Sequence, residues 1–357
     1  MFKGLKIYGN DDLLLKLKDK KPFFSCVIAT TATSTIPNIS GAGASAEMTE
    51  YTPAGDMELI MYGKLLCCDI PIGTASEGDF APTPAMITKA ALELTNVPFL
   101  AINAGCKVNP NTPYIHLNDI SGGNISTGKA VENPGEIFKK AKIIGKELSK
   151  TSDYLVIGES VPGGTTTTLG VLTALGYDAD FKVSGSSPNN RHDLKNKIVN
   201  EGIKNAKIDI NGDVDAFEAI AAVGDPMMPA IAGLIFGSDV PIILAGGTQM
   251  TSVLAIVKAI SDKNDDYNID FENIAIATTK YVAEDNSANI FNITQQISEK
   301  IAIYSVNPEF EKSKEKGLNN YLRGFVKEGA GAGGAMLMAM ILGYSIDEIR
   351  LKIEEYL

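Results

Sequence analysis

Glu328 stands directly before a glycine-rich turn, Gly329-Ala330-Gly331-Ala332-Gly333-Gly334-Ala335, and the apolar run 336–342 follows at once. A carboxylate at the mouth of such a turn can approach a ligand closely, because glycine carries no Cβ to hold the backbone away. The helix expected after it would aim its first N–H groups at an anion. One segment thus offers a proton acceptor and a phosphate cradle together. The same letters also spell a Gly/Ala-rich packing segment with a solvated glutamate, so other segments must decide.

Three further stretches have the right chemistry. Gly158-Glu159-Ser160-Val161-Pro162-Gly163-Gly164-Thr165-Thr166 follows an apolar run and opens a helical pattern. Gly163 and Gly164 permit an anion-binding turn, and Thr165 and Thr166 add hydroxyl donors at a helix start. No lysine follows the second glycine, so this is not a Walker loop, and GxGxxG spacing is absent. Gly185-Ser186-Ser187 followed by a helical Lys197 has the make-up of a second phosphate turn, although a surface helix with ordinary lysines reads the same way. In 223–233, Asp225 before Pro226 is a helix start, and Met227 and Met228 suit either tight packing or an apolar ligand pocket. The Thr/Ser/Gly/Ala-rich stretch 30–58 is long for a structureless loop. Within it Asp56 and Glu58 are placed to meet a ribose or to face water.

These segments need a frame. Short apolar runs at 24–28, 98–102, 154–157, 241–244 and 274–277 each end in small or polar residues. Near-continuous apolar strands belong to a parallel sheet covered on both faces. Helical patterns fall between them, at about 136–149, 166–176, 190–205, 214–222, 227–237 and 249–262. The alternation predicts an α/β fold, a doubly wound and mostly parallel sheet with helices on both faces. In such sheets the ligand crevice lies beyond the carboxyl ends of the strands. The expected boundaries are one α/β domain over 20–340, with terminal helices in 1–19 and 341–357 forming a small helical subdomain. The piece 309–316 reads as a solvated helix and 261–266 as an exposed loop.

Composition narrows the function classes. The chain has 357 residues and a formal net charge of -11, which argues against nucleic acid or an anionic membrane surface as a partner. The longest apolar stretch, 229–241, is interrupted by Asp239 and is too short to cross a bilayer. Cys26, Cys67, Cys68 and Cys106 show no CxxC spacing, so reduced thiols in a cytoplasmic setting are the expectation. His116 and His192 are isolated. HExxH, a nucleophile elbow and a Cys/His pairing are all missing, which leaves metal-dependent and nucleophilic hydrolysis without support.

Taken in order, the segments resemble the nicotinate-nucleotide:dimethylbenzimidazole phosphoribosyltransferases of cobamide lower-ligand assembly, in a divergent archaeal-type form. The family's Gly-Glu-Met-Gly-Ile-Gly-Asn-Thr-Thr loop is matched at Gly158, Glu159, Gly163, Thr165 and Thr166. Its Gly-Thr-Gly turn with a Leu-x-x-Lys helix is matched loosely at Gly185-Ser186-Ser187 and at Leu194 and Lys197. Its Val-Gly-Gly-Phe-Glu-Ile-Ala-Ala-Met-Ala-Gly helix looks like 223–233, its Asp-Gly strand exit like 240–247 with Ala245 in place of the acid, and its glutamate-glycine signature like 328–335. Lys-Pro-Pro-Gly-Ser-Leu-Gly and Asp-His-Gly are missing. The stretch 30–55 stands in their place, which leaves the acceptor base open.

The resemblance implies transfer of phosphoribose from nicotinate mononucleotide to a benzimidazole-type base with inversion. It makes Glu328 the catalytic base and Glu159 its assistant. It places the phosphate and ribose on Gly163, Gly164, Thr165, Thr166, Gly185, Ser186 and Lys197, with Gly331 and Gly333 close by. Met227, Met228 and Met336 become a possible base pocket. No cofactor and no metal is implied, the partners are small molecules, and a homodimer is expected. Transfer to another base such as adenine, or a non-catalytic nucleotide sensor, stays open.

Overall fold

The five apolar runs do lie side by side in one sheet. In the computed structural model, which describes residues 2–43, 45–69, 73–76 and 79–357, the strands are β1 (Leu5–Tyr8), β2 (Pro22–Ala29), β3 (Gly73–Ser76), β4 (Asp79–Pro82), β5 (Phe99–Gly105), β6 (Tyr114–His116), β7 (Tyr154–Ser160), β8 (Ile242–Ala245), β9 (Ile274–Thr279) and β10 (Ala302–Val306). Eight form one sheet in the order β1-β10-β9-β8-β7-β2-β5-β6, and β3 pairs with β4 in a separate hairpin. All neighbours in the large sheet run parallel except β1, which is antiparallel to β10. β1, β6 and β10 are strands beyond the five that the sequence marks. Two of them are short edges, where half of the backbone pairing and much of the apolar signal are absent.

Both faces are covered, and the strands alternate between them with period two. Leu155 and Ile157 point into one core with Ile242, Leu244 and Ile276. Val156 points into the other with Ile243, Ala245 and Ala277. The first face carries the helices Pro134–Ser149, Gly164–Ala174, His192–Ala206, Met227–Gly237 and Gln249–Lys263. The second carries Thr52–Tyr62, Ala85–Thr95 and Ala332–Ile341. The terminal helices join this second layer: Leu13, Leu14 and Leu17 at one end and Ile346, Ile349 and Ile353 at the other bury in the core shared with the sheet.

The piece 309–316 corrects an expectation. It is a 3₁₀ turn, Phe310–Lys312, rather than a solvated helix. Phe310 is fully buried and packs edge-on to Tyr321 at 5.1 Å between ring centroids. One aromatic anchor outweighs the charged residues after it, Glu311, Lys312, Lys314, Glu315 and Lys316, while Glu309 before it is itself buried beside Arg350. All four cysteines are free thiols, Cys26 and Cys106 buried, Cys67 and Cys68 partly so. Among the described residues no helix is long and apolar enough to cross a membrane.

β2 hands on to β5 on one side, whereas β7 hands on to β8 on the other. Between these two paired strands the winding reverses, and a crevice opens beyond their carboxyl ends.

Candidate active site

That crevice is a cleft with about 710 Å³ of atom-free space, open solvent at its mouth included. One wall comes from the first helical layer: Val161 to Thr165, the turn Ser184-Gly185-Ser186, and Gln249. The other comes from the second layer: Thr52, Asp56, Thr83, Pro84, Glu328 and Gly329. Glu159 and Ser160 lie between, at the end of β7, and Ile39, Ser40 and Ala42 also line it. Glu159, Glu328, Gly163, Gly164, Thr165, Gly185 and Ser186, separated by up to 169 residues in sequence, therefore share one space.

Glu328 is held at a helix N-terminus. Its Oε1 accepts from the Gly333 N–H at 3.1 Å and the Gly329 N–H at 3.2 Å. Its Oε2 accepts from the Thr279 N–H at 2.8 Å and, more loosely, from the Thr278 hydroxyl at 3.4 Å. Enclosure pushes its pKa up to about 7, against the pull of these donors downward. The helix start at Gly331 is thus occupied by the chain's own carboxylate. Gly331 and Gly333, expected close to the phosphate, do not line the cleft. Gly331 packs on Gly158 and Phe24, and a Cβ on Gly333 would lie 2.3 Å from the Thr278 carbonyl carbon. These glycines are there to let the helix meet the strand ends.

Glu159 is buried and accepts one hydrogen bond, from the Val161 N–H at 3.1 Å. Burial pushes its pKa up to about 8, and the charges of Glu328, Asp225 and Asp56 push the same way. At neutral pH it carries a proton and can donate. The exit of β8 runs beside both acids: a Cβ on Gly246 would lie 3.6 Å from Glu159 Cγ, and one on Gly247 3.8 Å from Glu328 Cβ. The two glycines after Ala245 leave room for the carboxyls.

The two glycine-bearing turns both line the cleft, and a lysine other than Lys197 braces the second. Gly163 has φ +79°, a left-handed conformation, and sits against Ser34 with no space for a side chain. Thr165 lines the cleft, whereas Thr166 is buried outside it with its Oγ1 unpartnered. Lys197 is exposed on its helix and does not line the cleft. Lys195 takes the inward position. Its Nζ donates to the Ser184 carbonyl at 2.7 Å and to Asn190 Oδ1 at 2.8 Å, bracing the turn from beneath. Burial pushes its pKa down to about 7, with Lys327 adding to that and Asp285 opposing it. The helical pattern contained this: Lys195, Ile198, Val199, Gly202 and Ile203 are the buried face, at i, i+3, i+4, i+7 and i+8. Among the described residues Lys327, the neighbour of Glu328, is the cation that lines the cleft, with its Nζ 2.6 Å from Asp285 Oδ2.

The methionines are a second correction. Met227 and Met228 are fully buried in the first core, and Met336 in the second; none lines the cleft. Each sits on a helix apolar all round, and such helices bury every face. The apolar lining is instead Ile39, Ala42, Pro84, Val161 and Val282. Of the two acids singled out in 30–58, Asp56 and Glu58, the first faces the cleft. Glu58 is buried away from it, where it accepts the N–H groups of Leu66, Cys67 and Asn111. Gly41 from the same stretch donates its N–H to Ser186 Oγ at 2.8 Å, strapping it over the second turn.

No family profile matches the chain. Crystal structures of nicotinate-nucleotide-dimethylbenzimidazole phosphoribosyltransferase (CobT) from Thermus thermophilus share its fold. One aligns with a TM-score of 0.57 at 13% identity, covering 96% of this chain and 86% of that one, and a second with the same score at 14%. Among curated sequences, the UPF0284 protein of Methanothermobacter thermautotrophicus is 52% identical over 99% of this chain and 98% of its own length. That of Methanosarcina mazei is 44% identical over 94% of each, and that of Methanocaldococcus jannaschii 43% over 97% and 96%. On these matches across nearly its whole length, the chain belongs to the UPF0284 family.

Proposed function

We propose that this protein transfers phosphoribose from nicotinate mononucleotide to the ring nitrogen of a benzimidazole-type base, with inversion at the anomeric carbon. One observation carries the reading: two carboxyls of raised pKa face the same cleft as two glycine-rich turns and a lysine. In this reading the phosphate lies against Gly163, Gly164, Thr165, Gly185 and Ser186, with Lys327 neutralising charge and Lys195 holding the second turn. The incoming nitrogen attacks the anomeric carbon. The bond to nicotinate breaks with its electron pair moving onto the pyridine nitrogen, which loses its positive charge and needs no acid. Glu328 takes the proton from the base's N–H. Glu159, kept protonated by its burial, orients the base by donating a hydrogen bond to it. The reading includes a homodimer, which light scattering checks.

The test is nicotinate release from nicotinate mononucleotide across a panel of nitrogen bases, with the ribosylated product identified by mass. Absence of release with every base rejects transfer. A nucleotide-binding sensor is the second reading, and the four hydrogen bonds already on Glu328 favour it. Thermal stabilisation by the nucleotide without turnover would establish it.

Two results are expected alongside. Lys327→Met should raise the nucleotide KM at least about tenfold, because a charge-assisted contact to phosphate is lost; Lys197→Ala should change it less than about twofold. Steady-state kinetics on both variants checks this, and the opposite ranking rejects the lysine assignment. The pH profile is the second. A base works deprotonated, so kcat/KM should rise with pH through about 7 as Glu328 ionises, then level or fall above about 8 as Glu159 loses its proton. The two acids feel each other, so the limbs belong to the pair. A rate that stays flat down to about pH 5, well below the Glu328 limb, would remove Glu328 as the base.

A further inference from the structure

The second-layer wall of the cleft contains a polar pair that the transfer chemistry does not use. Thr52 and Asp56 lie one turn apart on the helix Thr52–Tyr62, and both line the cleft. Asp56 is 3% exposed. Its two oxygens are aimed by short bonds, Thr83 Oγ1 donating to Oδ1 at 2.6 Å and Ser160 Oγ donating to Oδ2 at 2.7 Å. A carboxylate accepts about four hydrogen bonds, so acceptor capacity remains. Thr52 is 8% exposed, and its Oγ1 is buried without a partner. An orphaned hydroxyl beside an under-used carboxylate is a costly arrangement unless a ligand completes it.

The pair belongs to the layer opposite the phosphate turns and adjoins Thr83 and Pro84, the latter packed on the backbone beside Glu328. Resting on the phosphoribosyl-transfer reading, this is the side on which the incoming base must lie. A ring edge bearing only methyl or C–H groups would leave the remaining acceptor positions of the carboxylate desolvated and unmet. An edge bearing an O–H or N–H would satisfy it, and the Thr52 hydroxyl could serve the same group or its neighbour. We propose that Asp56 and Thr52 select the acceptor, and that this acceptor is a nitrogen heteroaromatic whose ring edge carries a hydroxyl or amino hydrogen-bond donor.

The experiment measures kcat/KM, by nicotinate release, for a ring-hydroxylated benzimidazole, its ring-methylated isostere and adenine. The protein is taken as wild type, Asp56→Asn and Thr52→Val. Sites that hydrogen-bond a substrate hydroxyl reject the analogue lacking it by large factors. The wild type should therefore favour the hydroxylated base or adenine over the methylated isostere by at least about tenfold. Each substitution should shrink that ratio several-fold. Thr52→Val breaks no hydrogen bond of the free protein, so it keeps the test open if Asp56→Asn misfolds. A wild type that uses the methylated base equally well or better overturns the proposal. So does a loss in both variants that falls equally on all bases, which is what a purely structural role gives. Failure of every base to release nicotinate rejects the transfer reading itself, and the two failures are thereby told apart.

Discussion

Glu328→Gln is expected to lower the transfer rate about 10²- to 10⁴-fold, the usual contribution of a positioned general base, while nucleotide affinity changes less than about threefold. The side chain keeps its size, but its one amide oxygen can accept on only one side, from the Gly333 and Gly329 N–H groups or from the Thr279 N–H, and its NH2 then faces the other donors, so a modest loss of stability accompanies the substitution. What disappears is the ability to take a proton. The geometry also sets a demand on the wild type. Each oxygen already accepts two bonds, so the substrate N–H must displace one of them. The Thr278 hydroxyl, at 3.4 Å, is the longest and the easiest to exchange. Single-turnover kinetics with calorimetric nucleotide binding checks the expectation. A variant with near-normal turnover would transfer the base role to Glu159, which is the weaker acid of the two and has the emptier hydrogen-bonding shell. Glu159→Gln in the same assay then decides between them.

The largest expected effect on stability falls on Gly333→Ala. The added methyl would lie 2.3 Å from the carbonyl carbon and 2.4 Å from the Cα of Thr278, and 2.7 Å from the Thr279 nitrogen. These are backbone atoms at the carboxyl end of β9, an interior strand of the sheet, and no rotamer change removes them. The helix Ala332–Ile341 must move instead, at a cost of about 2–4 kcal/mol. Its movement also withdraws the Gly333 N–H from Glu328, so turnover should fall along with the melting temperature. Gly135→Ala is the control, because nothing lies within 4 Å of its added methyl. Thermal denaturation and nicotinate release on the two variants check this. A Gly333→Ala protein as stable and active as wild type would mean that the helix does not approach β9 as described.

The parallel strands and their polar exits are legible because each is a local property. A run such as Tyr154-Leu155-Val156-Ile157 can bury both faces only inside a covered sheet, and the residues after it must then stand at the carboxyl-end rim. The glycines of the two phosphate-type turns and the acids Glu159 and Glu328 are legible for the same reason: one marks a backbone conformation, the other a charge next to it. Gly331 and Gly333 show the limit. Glycine at a helix start reads equally as an anion cradle and as a close helix–strand contact, and only the strands it meets, β7 and β2 at Gly331 and β9 at Gly333, distinguish the two.

The amino-acid sequence determined the sheet, its winding and the rim on which the chemistry-bearing turns fall, because burial periodicity and glycine's backbone freedom act within a segment. Tertiary structure alone decided that Lys327, Asp56 and Thr52 line one cleft, whereas the helical patterns already turn Lys195 inward and bury the three methionines. That convergence depends on which layer each segment joins and how it is rotated there. That is set by contacts between segments tens to hundreds of residues apart, which no single stretch encodes.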